Sequence, residues 1–540
     1  MRRMTTSPAP GASPGASPSA SPGAAARAPA SARPRLSRRL TLATAFLAAT
    51  RATPQTMPPQ AAIATSFDAN TVPELARGLA RQPHRPRQSA LPREFQRLDY
   101  DAYRKINFDR RQAWWASEGL PFQLQPHHRG FLFENRVDLF EVEAGQARPL
   151  VYSPAMFEFG GLPVPAAGAD IGFAGLRILC PLNSADRFDE LCSFLGASYF
   201  RGLGRGQAYG ASARGLAINT AEPAGEEFPA FTAFWLEKPA PAAPAMRLHA
   251  LLESASVTGA YSFAITPGEA TVMEIRAQLF PRVDVPRLGL APASSMFFFG
   301  PQDRDGTSDY RPAVHDSDGL LLRNGAGQQL WRPLSNPREL QVSGFQDATP
   351  RGFGLLQRAR DFADFQDLEA QYHRRPGLWM EPLEDWGQGE VQLLEIPTRS
   401  EIHDNIAAAW RPRQGLQAGS PRAFGYRLHW LSAEPAGAGP LLGFMATRIA
   451  AANGASGEQR RRRRFVLDTT AATRPTMPEP RITLSGGTVH NAVVQPNPQT
   501  GGLRLSFELD PGGESLIEMT ARLVSQEQPI SETWVYRWTA

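Results

Sequence analysis

Cysteine is nearly absent: the 540-residue chain holds two, Cys180 and Cys192, and no chemistry is assigned to them. It contains no Walker-type phosphate loop and no His-Glu-x-x-His zinc motif. The nine histidines are scattered, and the adjacent pair His127-His128 has a poor spacing for two ligands on one face. The Gly-x-Ser-x-Gly spelling of serine hydrolases occurs only as Gly11-Ala12-Ser13-Pro14-Gly15. That match lies in low-complexity sequence without a strand before it or a helix after it, so it carries no nucleophile. Gly202-Leu203-Gly204-Arg205-Gly206 precedes no clear helix and is too weak for a phosphate site. No cofactor and no metal are expected.

Acidic residues are missing altogether from positions 1–64, which hold eight Arg and no Lys amid Ala, Ser and Pro. Without that segment 49 basic side chains face 52 acidic ones, so the formal charge falls from +5 to −3. The basic character therefore belongs to a leader, and nucleic-acid binding loses its compositional support. Ser37-Arg38-Arg39-Leu40-Thr41-Leu42 resembles a twin-arginine export motif, and Ala62-Ile63-Ala64 offers a small-x-small cleavage site. The apolar stretch from Leu40 to Ala49 is shorter than the roughly 20 residues a bilayer span requires. The expectation is an export leader over 1–64 and a mature chain without a membrane span. For the two cysteines, a short-loop disulfide and two separately buried thiols stand as equal readings, with Cys192 on a helix after Arg187-Phe188-Asp189-Glu190.

From Phe67 onward short apolar runs recur with Gly, Pro or Asn close by, among them Phe131-Leu132-Phe133, Leu176 to Leu179, Leu248 to Leu252 and Ala270 to Ile275. This rhythm predicts an all-β sandwich. Helices are expected only over Val72 to Gln82, Asp99 to Asn107 and Phe362 to Tyr372. A Pro/Gly/Ala stretch at 433–440 reads as a linker between a domain at 65–432 and a second, immunoglobulin-like one at 441–540. The basic run Arg460 to Arg464 precedes the strand Phe465-Val466-Leu467 and reads as an edge-strand guard.

Carboxylates and aromatics remain as candidate chemistry. Two acidic motifs carry no nearby lysine: Tyr310-Arg311-Pro312 through His315-Asp316-Ser317-Asp318, and Glu395-Ile396-Pro397-Thr398 through Glu401, Asp404-Asn405-Ile406 and Trp410. Cleaving a glycosidic bond needs one protonated acid for the leaving oxygen and one ionised carboxylate for water or the anomeric carbon. Asp404 lies among the apolar Ile396, Ile402 and Ile406; Asp316 lies between His315 and Ser317. By residue type alone, either aspartate is equally a turn-former or a backbone cap. Tyr199, Tyr209, Trp235, Tyr310, Trp331, Trp379, Trp386 and Trp410 supply rings that stack on sugar C–H faces, about half of them being core, Trp235 and Trp410 above all.

An ordered series of motifs adds a resemblance. Leu195-Gly196-Ala197-Ser198-Tyr199-Phe200-Arg201, Ser295-Met296-Phe297-Phe298-Phe299-Gly300, Trp331-Arg332-Pro333-Leu334 and Gly352-Phe353-Gly354-Leu355-Leu356-Gln357-Arg358 stand among them, with Tyr310-Arg311-Pro312, His315-Asp316-Ser317 and Asp404-Asn405-Ile406. The chain from about Leu91 to Trp538 resembles the periplasmic glucan biosynthesis proteins G and D of osmoregulated periplasmic glucans. The twin-arginine leader and Leu368-Glu369-Ala370-Gln371-Tyr372-His373 look closer to the D type. The resemblance implies a large galactose-mutarotase-like β-sandwich followed by an immunoglobulin-like β-sandwich. It also implies periplasmic location and inverting hydrolysis of β-1,2-linked glucan, with the inner-membrane glucan synthase as a further partner. Carried over by motif, Asp404 is the general acid and Asp316 the general base, with Tyr310, Arg311, His315, Trp331 and Trp386 on the substrate. The rival reading is a glucan-binding or scaffolding factor without turnover. His403 and Ala409 depart from the family's commoner spelling, Asn and an aromatic.

Overall fold

The computed structural model describes residues 64–540 apart from 88–90, 305, 438, 453–460 and 473–476. The expected export leader lies outside the described residues, except for Ala64. Strands dominate, as the alternation of apolar and polar residues predicts. The strand Thr271–Pro281, for example, buries Thr271, Met273, Ile275, Ala277 and Leu279 and turns Arg276 and Gln278 outward.

Among the described residues two large sheets face each other. One contains 16 strands and runs through the hairpins between Ala230–Glu237 and Thr271–Pro281 to Arg422–Leu431. The other contains ten, with Ile406–Pro412, Leu288–Ser295, Ser212–Arg214, Tyr199–Gly202 and Arg187–Leu195 side by side. Aromatic rings fill the space between them: Phe194 meets Phe234 and Phe263 edge-on at 5.2 and 5.3 Å. Trp235 and Trp410 are core residues, the latter fully enclosed.

The C-terminal sandwich sets a four-stranded sheet, Phe444–Ala451, Arg463–Thr469, Gly502–Asp510 and Thr488–Asn497, against Glu479–Leu484, Leu516–Ser525 and Thr533–Thr539. It is joined to the first half more closely than a linker suggests. Gln329–Pro333 pairs in parallel with Thr533–Thr539, so the 16-stranded sheet is continuous through both halves. The C-terminal core accordingly includes Leu321, Trp331, Leu356 and Trp379. Glu532 is fully buried at this seam and accepts from both Arg358 Nη atoms (2.5 and 3.0 Å), Gln329 Nε2 (2.9 Å) and the Phe444 N–H (2.7 Å).

Several local expectations change. Val72 to Gln82 is helical over Thr71–Ala80, but Asp99 to Asn107 yields only Tyr100–Tyr103. Phe362 to Tyr372 is not a helix: Gln366 and Gln371 take positive φ, and the segment folds as short 3-10 turns that bury Phe365 and Tyr372. Cys192 lies on the strand Arg187–Leu195, where it is buried in the core together with Leu191 at a bulge in the pairing. Both cysteines are free thiols, pushed upward in pKa by burial, Cys180 to about 12. Phe131 to Phe133 is a turn. The strand after the basic run is not an edge: Arg463–Thr469 lies between Phe444–Ala451 and Gly502–Asp510, and Arg462 and Arg464 pair with Asp510 and Glu508 on the latter, while Arg460 lies outside the described residues.

Candidate active site

Asp404 and Asp316 come from segments 88 positions apart and line one recess of ≈ 240 Å³, together with Arg201, Tyr209, Tyr372, Arg375, Glu369 and Glu401. Asp404 sits in the turn before the strand Ile406–Pro412. Its neighbour Asn405 fixes that turn: buried Oδ1 accepts the Phe297 N–H at 2.9 Å, and Nδ2 donates to the Ile396 carbonyl at 3.0 Å. Ile396 N–H in turn donates to the Asn405 carbonyl at 2.8 Å. Asp404 Oδ2 accepts from Ser212 Oγ at 3.4 Å and lies 4.0 Å from Arg201 Nη2. Ser212 and Arg201 flank the core residues Ala213 and Phe200 in sequence, so alternation turns both onto the open face of the ten-stranded sheet.

Asp316 follows the short strand Val314–His315 and donates its backbone N–H to the Met296 carbonyl at 2.8 Å. Its carboxylate is almost enclosed and accepts from Arg375 Nη1 at 2.5 Å. Burial alone would lower the Arg375 pKa, but Asp316, Tyr372 and Asp404 together raise it. Arg375 is thus a buried cation acting on both aspartates, with its guanidinium 4.3 Å from the centroid of the Tyr372 ring. Tyr209, which lines the same recess, donates to Glu190 Oε1 at 2.9 Å; burial first and Glu190 second hold its phenol protonated.

The other expected residues divide. Arg311 stands behind the wall and binds three carboxylates, Asp309 (2.8 Å), Asp367 (2.8 Å) and Glu401 (2.7 Å). The bond to Asp309 is the largest cause of its raised pKa. His315 does not line the recess. It is buried, stacked on Phe297 with centroids 5.4 Å apart, and its Nδ1 donates to Gln357 Oε1 at 2.9 Å. Burial holds its pKa below the usual imidazole value. Tyr310 is 78% exposed and stands outside the recess.

Two placements correct the sequence expectation. Trp331 is enclosed in the C-terminal core, 3.7 Å from the Arg358 guanidinium, and Trp386 packs on Trp410, Phe424 and Tyr426 in the first core. Neither ring lines the recess, because each is drawn inward by a neighbouring apolar cluster. Glu395 is likewise structural: fully buried, it accepts from Arg332 Nη2 (2.9 Å) and from the Ser335 N–H and hydroxyl (2.8 and 3.0 Å). Sequence reasoning misses Arg375. Its only local signal is the doublet Arg374-Arg375, and its partner Asp316 is 59 residues away.

The recess therefore offers four carboxylates, a cation beside each of the two aspartates, and two phenols. That set suits binding the hydroxyls of an uncharged sugar and, with a proton on one carboxyl, acid–base work on its linkage.

A family model described as "Periplasmic glucan biosynthesis protein, MdoG" matches residues 67–538. Similar relatives include proteins named glucans biosynthesis protein G. The one from Bradyrhizobium diazoefficiens is 48% identical over 506 residues, 93% of this chain and 99% of the relative. That from Vibrio cholerae is 51% identical over 477 residues, 88% of this chain and 87% of the relative. A third, from Rhodopseudomonas palustris, is 49% identical over 477 residues, 88% of this chain and 93% of the relative. All three carry the G name, whereas the leader had suggested the D type. With the match spanning both sandwiches and both aspartates, the chain belongs to the family of periplasmic glucan biosynthesis proteins.

Proposed function

We propose that this protein hydrolyses β-1,2-linked glucan in the periplasm, with inversion, and so sets the backbone of the glucans whose biosynthesis its family serves. Asp404 protonates the leaving glycosidic oxygen, and Asp316 draws a proton from the attacking water. The observation that carries the reading is that Asp316 and Asp404 share one recess although they arise from separate loops. Arg375 binds the Asp316 carboxylate at 2.5 Å and fixes its position in the recess. The polar wall of Arg201, Tyr209 and Glu401 supplies donors and acceptors for sugar hydroxyls.

A second reading rests on a specific contact. Arg201 lies 4.0 Å from Asp404. A nearby cation works against the proton that a general acid must carry. In that reading the recess holds glucan without cleaving it and passes it on from the inner-membrane synthase. Incubating the protein with linear β-1,2-glucan, beside an Asp404→Asn variant, separates the two. Hydrolysis predicts short oligosaccharides from the parent and a loss of about 100-fold or more in the variant. Glucan binding without products from either protein would establish the second reading instead.

A further inference from the structure

One short segment, Gln357 to Arg360, lies between the recess and the C-terminal half. The strands Gly319–Arg323 and Gly352–Leu356 pair with Gly319 opposite Leu356, so Asp316 to Asp318 and Gln357 to Arg360 leave the sheet side by side. Asp318 holds the two together: its carboxylate accepts the Arg358 and Ala359 N–H groups at 3.0 Å, and its own N–H donates to the Leu356 carbonyl at 2.9 Å. Gln357 and Arg360 reach toward the recess. Buried Gln357 accepts from His315, the neighbour of Asp316, at 2.9 Å and donates to the Tyr372 carbonyl at 2.5 Å. Arg360 donates to the Arg375 carbonyl. Both members of the Asp316–Arg375 ion pair are thereby anchored to this segment.

Arg358 reaches the other way. Its buried side chain ends on Glu434, Glu532 and the Phe444 carbonyl, and Glu532 takes both of its Nη groups. Charge-assisted bonds of this kind are about twice as strong as neutral ones, so the guanidinium is a fixed point in the C-terminal half. We propose that Arg358 and Glu532 are positioning residues for the recess: through them the C-terminal half sets how Asp316 and Arg375 stand against each other. The proposal rests on the reading of Asp316 as a reacting carboxylate. Contiguous hydrogen-bonded and packed groups are the physical means by which one region biases another, and here the path is short. It runs from Glu532 to Arg358, and from the Arg358 backbone through Asp318 and Gln357 to the loop that carries Asp316. A displacement of about 1 Å at a reacting group costs about 100-fold in rate, so a small shift at the seam has a large effect at the recess.

The test compares Glu532→Gln with Leu505→Ala. Leu505 is fully buried in the C-terminal core, so its truncation weakens the same half without removing a bond to Arg358. Thermal unfolding verifies that each variant is folded at the assay temperature. Hydrogen exchange, followed by mass spectrometry, is read at 314–318 and 370–375, beside turnover of linear β-1,2-glucan. Glu532→Gln should exchange about tenfold faster in both segments and lose about tenfold in kcat at unchanged KM. Leu505→Ala should leave both readouts at the level of the parent. Glu434→Gln removes the partly solvated partner of Arg358; it should move both readouts the same way by about threefold, and it carries the test if Glu532→Gln does not fold. Equal effects of Glu532→Gln and Leu505→Ala at the recess, or none from either glutamine variant, would overturn the proposal. Absence of turnover in the parent would remove the hydrolytic reading alone, since exchange at the recess still decides whether the seam holds it.

Discussion

Replacing Glu532 by Gln tests how the two halves are held together. The carboxylate is fully buried and receives four hydrogen bonds, two from Arg358 and one each from Gln329 and the Phe444 backbone. An amide keeps the shape but turns one acceptor into a donor that faces other donors, and it strands the buried Arg358 charge. Glu434, 2.5 Å from Arg358 Nε, remains as its partner but is 29% exposed and replaces little of what is lost. Breaking a buried pair from one side costs about 3–5 kcal/mol, whereas a partly solvated pair is worth under about 1 kcal/mol. Urea unfolding, followed by tryptophan fluorescence and far-UV circular dichroism, should therefore show a large drop for Glu532→Gln and a small one for Glu434→Gln. The continuous sheet and shared core further require both halves to unfold in one transition. Comparable small losses for the two variants, or two separated transitions in the parent, would refute the account of the seam.

Other outcomes follow from local contacts. His128 is buried, with Nδ1 donating to the Arg129 carbonyl at 2.6 Å and Nε2 accepting from the Tyr152 hydroxyl at 2.9 Å. Burial holds its pKa down to about 4 from 6.5. The unfolded chain takes up this proton first, so the contribution is complete above about pH 6.5 and falls by about 3 kcal/mol on acidification to pH 4. An NMR titration finding His128 protonated near 6.5 in the folded protein would contradict this. Asn405→Ala leaves the Phe297 N–H and the Ile396 carbonyl without their side-chain partners beside Asp404. It should cost about 2–4 kcal/mol in urea melts and, under the proposed hydrolysis, lower the rate of glucan cleavage; unchanged stability would mean that the turn is held by other contacts.

The all-β class was legible because alternation within a strand is local information, and Trp235 and Trp410 read as core for the same reason. Trp331 and Trp386 did not, since a tryptophan beside polar turn residues looks the same in sequence whether its ring faces solvent or a neighbouring sheet. The segment from Phe362 to Tyr372 failed as a helix because its apolar residues have helical spacing, while two glutamines adopt left-handed backbone that only tertiary packing imposes. At the site, the motifs containing Asp316 and Asp404 could be found, but nothing in them points to Arg375. The stretch at 433–440 reads as a linker from its composition alone, and the pairing of Gln329–Pro333 with Thr533–Thr539 is invisible to any local pattern.

That pairing has a consequence for the order in which the chain can fold. Leu330 and Trp331 find their partners in Thr533 and Trp534, about 200 residues later. While the protein is being made, this side of the strand Gln329–Pro333 is an unpaired edge until Thr533–Thr539 has been synthesised. The pairing is therefore long-range, which makes it slow compared with the hairpins of the first half. Until that pairing forms, this is the part of the sheet most open to pairing with another copy.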